Sequence, residues 1–452
     1  MSSTMIRDLT KGPVVSQLFR FALPLLASNA LQAVYNLVDM VVVGNYIGAA
    51  GMSAVSIGGD ILHILTFVAM GFSSAGQIII ARAVGAGRHD EIRRTIGTMF
   101  SFLLSVSLFI ALLCYLLRFS VLHWLNTPAA AWDYTMDYML TCACGLFFIY
   151  GYNIVSAILR GMGDSRRPFV FIAVAAILNT VLDILFVKYF HMEVFGAALA
   201  TVIGQGVSFV SAILYLYRRR ESFGFDFKPE SLRIDGATFR RLVALGVPMA
   251  IQSAAISFSK IVLMAWINLF DVTYSALAGI FNKVNIMGGV LSMSFTAAGS
   301  SMAGQNLAAG EHKRVNKILL TLIVVNTVLA ALGMVLMLLW PDAVYRAFTY
   351  DTDVLDAAWV LTLPIILNFF GAATRSPAFA LINGSGRPRL NLIIAIIDGV
   401  VSRIGLAALL GFALHLDCYG FWMGDALAGF MPLVVGGVFY LTGRWKETPS
   451  RA

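Results

Sequence analysis

FRFALPLLASNALQAVYNLVDMVVVG, Phe19 to Gly44, is long and apolar enough to cross a bilayer, yet it carries a proline and a carboxylate inside. A spanning helix needs about 20 mostly apolar residues, and the run beyond Arg20 supplies them. Pro24 removes one backbone donor and bends a helix, which marks it as a candidate hinge. Asp39 costs roughly 2.5 to 3.5 kcal/mol if ionised near the bilayer centre. An acid at that depth reads as functional by default. Gln32, Asn36 and Asp39 follow at spacings of four and three and so share one helical face.

The rest of the chain has the same character. Of its 452 residues 59% are hydrophobic and only 12% charged, a balance that excludes an ordinary soluble domain. Twelve apolar segments are expected at about 15–44, 52–81, 95–117, 134–160, 168–188, 194–217, 241–268, 275–304, 317–340, 357–382, 390–413 and 418–442. A transmembrane barrel would show short segments of alternating polarity instead, so the fold class is an all-α membrane protein. The polar start MSSTMIRDLTKGP lacks the pattern of a removable signal, and the first helix serves for targeting. About 25 of the 32 Lys and Arg residues fall in the N-terminus, the even-numbered loops and the C-terminus. That bias puts both termini in the cytoplasm and the chain in the plasma (cytoplasmic) membrane. The net charge of +8 is thereby explained by loops beside an anionic leaflet, with no nucleic-acid partner. Cys142 and Cys144 lie two apart on different helical faces, which suits neither a metal clip nor a disulfide framework.

The chain is also written twice, with a period near 224 residues. FALP ending at Pro24 answers LGVP ending at Pro248, and GQIIIARAVGAGRHDEIRR from Gly76 answers GSSMAGQNLAAGEHKRVNK from Gly299. RGMGDSRRP ending at Pro168 answers NGSGRP ending at Pro388, and HMEVFG at His191 answers HLDCYG at His415. Six helices per half is an even number, so the halves form two parallel six-helix bundles related by a pseudo-twofold along the membrane normal. The expected division is an N-terminal lobe, 1–217, a cytoplasmic linker, 218–240, and a C-terminal lobe, 241–452, with a cavity between lobes that rock. The halves differ in charge. At the 224-residue offset Asn36 faces Lys260 and Asp39 faces Leu263; aligned on Pro168 and Pro388, Asp183 meets Arg403.

On Pro24, Asp39, GAGRHDEIRR, ILRGMGDSRRP (Ile158 to Pro168) and NTVLD (Asn179 to Asp183), the chain resembles the MATE (multidrug and toxic compound extrusion) transporters along its whole length. The resemblance implies secondary active export of cationic or amphipathic organic compounds in exchange for H+ or Na+ by alternating access. It also implies coupling at Asp39, Asn179, Asp183 and Thr201, with bending at Pro24, as in the branch with its carboxylate site in the N-terminal lobe. The same four residues would hold Na+ if that is the ion. Apart from the name, two carboxyls sharing an apolar site need a positive charge between them, and a cationic drug competing for that charge gives exchange by linkage.

Tyr35, Asn36, Tyr152, Asn153 and Lys260 are the expected substrate-cavity residues. Asp60 and His63, three apart, form a weaker candidate relay. Lys260, Lys283, Arg375 and Arg403 neutralise Asp398 or Asp425, shape charge preference, or snorkel. Glycine-rich Gly161 to Ser165 lacks the lysine of a P-loop and reads as a helix stop followed by a cap. Nucleophile and metalloprotease motifs are absent from the sequence, so no enzyme activity, cofactor or ATPase subunit is expected. A flippase for lipid-linked precursors, which needs cations for a pyrophosphate, is the alternative. Twelve helices in one chain are compatible with a monomer.

Overall fold

The computed structural model describes residues 6–223 and 225–447, and every regular element among them is helical. Twelve helices are long and apolar enough to cross a membrane. They are α1 (Val14–Ile47), α2 (Ala49–Gly85), α3 (His89–Leu116), α4 (Ala129–Gly161), α5 (Arg166–Tyr189), α6 (Glu193–Arg218), α7 (Gly236–Ile267), α8 (Val272–Ala308), α9 (His312–Leu339), α10 (Thr352–Ser385), α11 (Pro388–Ala413) and α12 (Asp417–Leu441). Helices are the economical solution in lipid because each backbone donor finds its acceptor within its own segment.

Repeated loops fold alike. Gly87 and Gly310, matched in the two halves, both take left-handed backbone, φ +67° and +78°, where a Cβ is unfavourable. The same symmetry appears without glycine: His191 and Glu193, and their counterparts His415 and Asp417, all have φ between 49° and 54°. Asp164 accepts from the Arg166 backbone N–H at 3.1 Å and pairs with the Arg167 guanidinium, so the glycine-rich loop ends in a cap.

Packing divides the chain into two compact units, and not where the sequence alone cuts it. Unit 1 comprises Met1–Asp8 and Leu23–Gly246; unit 2 comprises Leu9–Ala22 and Val247–Ala452. The start of α1 therefore belongs with unit 2, and the expected linker with the start of α7 belongs with unit 1. Each change falls one residue before a helix-interior proline, Pro24 or Pro248. In unit 2, Arg314 donates to the carbonyls of Leu9, Lys11 and Gly12 and to Gln17 Oε1. In unit 1, the linker lies on α3: Ser101 donates to the Leu232 carbonyl, Asp235 N–H donates to Thr98 Oγ1 at 3.1 Å, and Arg241 pairs with Glu91 at 2.7 Å. Gly97 makes this approach possible, since a Cβ there would stand 1.9 Å from the Ser231 carbonyl oxygen.

Unit 1 packs around Val43, Ala54, Tyr138, Cys142, Val194 and Ala198. Unit 2 packs around Leu277, Phe281, Tyr345, Leu361, Phe421 and Trp422. Two helices of the repeat carry π-helical turns: α5 ends in one, Ile184–Tyr189, while α11 holds two, Ile397–Ser402 and Leu409–Ala413. A π-turn widens the helix by an extra residue per turn and often marks a functional position.

Candidate coupling site and its counterpart

Three helices of unit 1 bring Asp39 (α1), Asn179 and Asp183 (α5) and Thr201 (α6) together. All four side chains are buried, Asp183 completely and Asp39 at 3% exposure. The Thr201 hydroxyl donates to Asp39 Oδ2 at 3.4 Å. Asn179 touches both, and its amide orientation follows from its neighbours. With Nδ2 towards the carboxylate it donates to Asp39 Oδ1 at 3.1 Å and its oxygen faces the Thr201 N–H at 3.3 Å. The reverse orientation, which pairs Nδ2 with Thr201 Oγ1 at 3.3 Å, sets amide oxygen against carboxylate oxygen and is the poorer arrangement. Asp39 and Asp183 face each other within hydrogen-bonding reach, and Asp183 Oδ1 has no other partner. Two carboxyls in contact in a buried, apolar setting are held together by one positive charge.

The remaining expected residues are placed as follows. Tyr35 lies beside Asp39, Tyr152 and Gln205. The Tyr152 hydroxyl donates to the Pro168 carbonyl at 2.9 Å and Asn153 to the Ile149 carbonyl of its own helix at 2.8 Å, so both polar ends are occupied in tying helices. Asn36 is exposed, as are Asp60 and His63; the His63 ring packs on Phe67. Two residues were not anticipated. Gln205 follows Thr201 by one helical turn on the buried face of α6, a spacing readable in the sequence. Tyr138, from α4, reaches the electrostatic neighbourhood of both acids, and nothing in its local sequence announces it.

Unit 2 builds a different cluster from the matching helices. Arg403 (α11), at 2% exposure, pairs through Nη2 with Asp398 Oδ1 at 3.0 Å and through Nη1 with Asp425 Oδ1 of α12. Asn368 donates to Asp425 Oδ2 at 3.0 Å, and Arg375 stands 3.6 Å from Asp398 Oδ2. Lys260 (α7) lies in the same electrostatic neighbourhood. Lys283 is exposed and stands outside these pairs.

This geometry corrects the alignment that set Asp183 against Arg403. Asn179 touches Thr201; Arg403 touches Asp425, and both pairs are related by 224 residues. Arg403 thus stands where Asn179 stands, and the counterpart of Asp183 is the buried Ala407. The proline anchor misleads because α11 is longer than α5 on its proline side, where the π-turn Ile397–Ser402 intervenes.

Twelve spanning helices in two similar halves, with a buried acid pair in one of them, define a secondary transporter of the multidrug-exporter type. The MatE family model matches residues 24–185 and again 248–409, starting 224 residues apart, and the chain belongs to this family. It is 26% identical over 447 residues to the probable multidrug resistance protein YpnP of Bacillus subtilis (strain 168), covering 97% of each chain. It is 24% identical over 417 residues to a FAD transporter of Shewanella oneidensis, covering 89% of each. A MATE transporter solved in the bent conformation superposes with a TM-score of 0.89 at 21% identity, covering 98% of both chains. As a family of multidrug transporters these relatives are not enzymes, and a flippase reading is not favoured: Arg403, one of its required cations, is consumed by Asp398 and Asp425.

Proposed function

We propose that this protein exports amphipathic organic compounds, cationic ones among them, from the cytoplasm in exchange for protons, by alternating access with Pro24 as the hinge of α1. The observation that carries the reading is the buried contact between Asp39 and Asp183. Protonation lets the two carboxyls share a hydrogen bond; deprotonation leaves a site that attracts a cation, so proton and drug exclude each other and linkage produces exchange. A proton is favoured over Na+ because the Asn179 amide presents its nitrogen, not its oxygen, to Asp39, leaving a sodium shell one ligand short. Tyr35, Asn36, Gln205 and Lys260 are the residues we assign to substrate contact. The chain sits in the plasma membrane with both termini cytoplasmic, as the Lys and Arg distribution requires.

The test is efflux of a fluorescent amphipathic cation from proteoliposomes under a pH gradient alone and a sodium gradient alone. The proton reading expects transport under the first and background under the second. Transport under sodium alone, abolished in Asp183→Asn, would transfer the same site to Na+. The cargo of the Shewanella oneidensis relative, FAD, carries a pyrophosphate, so substrate charge is a matter for the residues of each chain.

A further inference from the structure

We infer that unit 2 contains a binding position for an anionic group, a carboxylate or a single phosphate, at the Lys260 ammonium. The exported compounds this chain handles best would then carry a negative group. The inference rests on the transport reading above only for the word exported; the binding position stands on its own geometry.

The acids of the cluster are fully spent without Lys260. Asp425 gives Oδ1 to Arg403 and Oδ2 to Asn368; Asp398 gives Oδ1 to Arg403 and faces Arg375 with Oδ2. All four carboxylate oxygens therefore have partners, and none is Lys260, which makes no ion pair with any described residue. Three cations against two anions leave one positive charge over. Arg403 cannot be that charge, because it is enclosed and bonded on both sides. Lys260 can, being half-buried rather than enclosed.

Its position is also fixed. The neighbouring Ser259 hydroxyl donates to the Gly399 carbonyl, and a Cβ on Gly399 would stand 2.8 Å from Ala255 Cβ. That close approach clamps α7 to the π-turn of α11 and holds Lys260 beside the cluster. A desolvated ammonium with no counter-ion is unfavourable in the free protein and becomes favourable when a ligand supplies the anion. At the matching position unit 1 has the neutral Asn36, so the feature belongs to unit 2 alone.

The experiment measures direct binding to the purified, full-length protein of two dyes: a rhodamine bearing a free benzoate and its methyl ester, with carboxylate the sole difference. Wild type should bind the acid about tenfold or more tightly than the ester, the value of one charge-assisted hydrogen bond. Lys260→Gln should erase that preference while leaving ester binding unchanged; Lys260→Arg should retain it, and Lys283→Gln should not affect it. Lys260→Gln should also melt at a higher temperature than wild type without dye, the sign expected of a charge kept for a ligand. A structural ion pair would give the opposite sign. Equal binding of acid and ester by wild type, or an unchanged preference in Lys260→Gln, overturns the inference and leaves proton-driven export untouched. Failure of transport under every gradient, with the acid preference intact, removes the export reading and leaves the binding position.

Discussion

The two units contain the same six-helix plan, and their buried polar clusters differ in one decisive respect: where the positive charge comes from. In unit 1, Asp39 and Asp183 face each other with Asn179 and Thr201 beside them, and no Lys or Arg side chain pairs with either acid among the described residues. In unit 2, Arg403 takes the place of Asn179 and Asp425 that of Thr201, so the cation is covalently attached. A site that must borrow its charge is exchangeable; one that owns its charge is not. The comparison assigns coupling to unit 1 and leaves unit 2 structurally locked at Arg403.

The sharpest way to break this contrast is to neutralise one acid in each unit. Asp183→Asn should fold and reduce gradient-driven drug efflux to background, with Asp39→Asn close behind, measured in proteoliposomes and as drug resistance in cells. Asp425→Asn should retain measurable exchange where it folds, its loss appearing as lower melting temperature. Efflux surviving in Asp183→Asn, or vanishing in a well-folded Asp425→Asn, would reverse the assignment.

Arg403→Leu tests the locked cluster itself. Removing one partner of a buried ion group costs about 3–5 kcal/mol because the acids it served stay buried. The expected result is a large fall in the unfolding midpoint of the purified protein. Combining it with Asp425→Asn should recover part of the loss, since neutral groups of similar shape are much cheaper to bury. A simple sum of the two single effects would mean that Arg403 and Asp425 do not depend on each other.

Much of unit 1 was legible in the sequence, for physical reasons. An acid inside an apolar run is conspicuous, and Asn179 with Asp183 keeps the i, i+4 spacing that puts both on one face. The counterpart in unit 2 was misjudged because a π-turn changes helical register without a sequence signature, so counting from Pro388 placed Arg403 opposite Asp183. Tyr138 and the exchange of helix starts at Pro24 and Pro248 depend on packing between distant segments. Chain order does not contain that information.

The linker offers a milder contrast. It covers α3 of unit 1 at Gly97, whereas Leu320, the residue matching Gly97 on α9 by the glycine-loop alignment, is 62% exposed. Gly97→Ala should push Ser231 away and cost about 1–3 kcal/mol as overpacking, read as faster proteolysis of the linker. Leu320→Ala should leave proteolysis unchanged, being an exposed site without a covering segment.

The smallest effect separates the starts of α1 and α7. Asp235 caps α7, its Oδ1 accepting from the Thr238 hydroxyl and from the Thr238 N–H at 2.9 Å. Those bonds, the hydroxyl first, hold the carboxyl below its usual range. A depressed folded-state value means the cap contributes fully above the unfolded carboxylate value, near about 3.9, and is lost as pH falls through the folded one. The start of α1 has no such acid and relies on Arg314, which does not titrate in this range. Acidification from pH 6 towards pH 3 should therefore loosen amide hydrogen exchange at the first turn of α7 and spare that of α1. In Asp235→Asn the α7 response should be flat, because an amide cap does not titrate; an unchanged acid response in that variant would show that another group governs the linker.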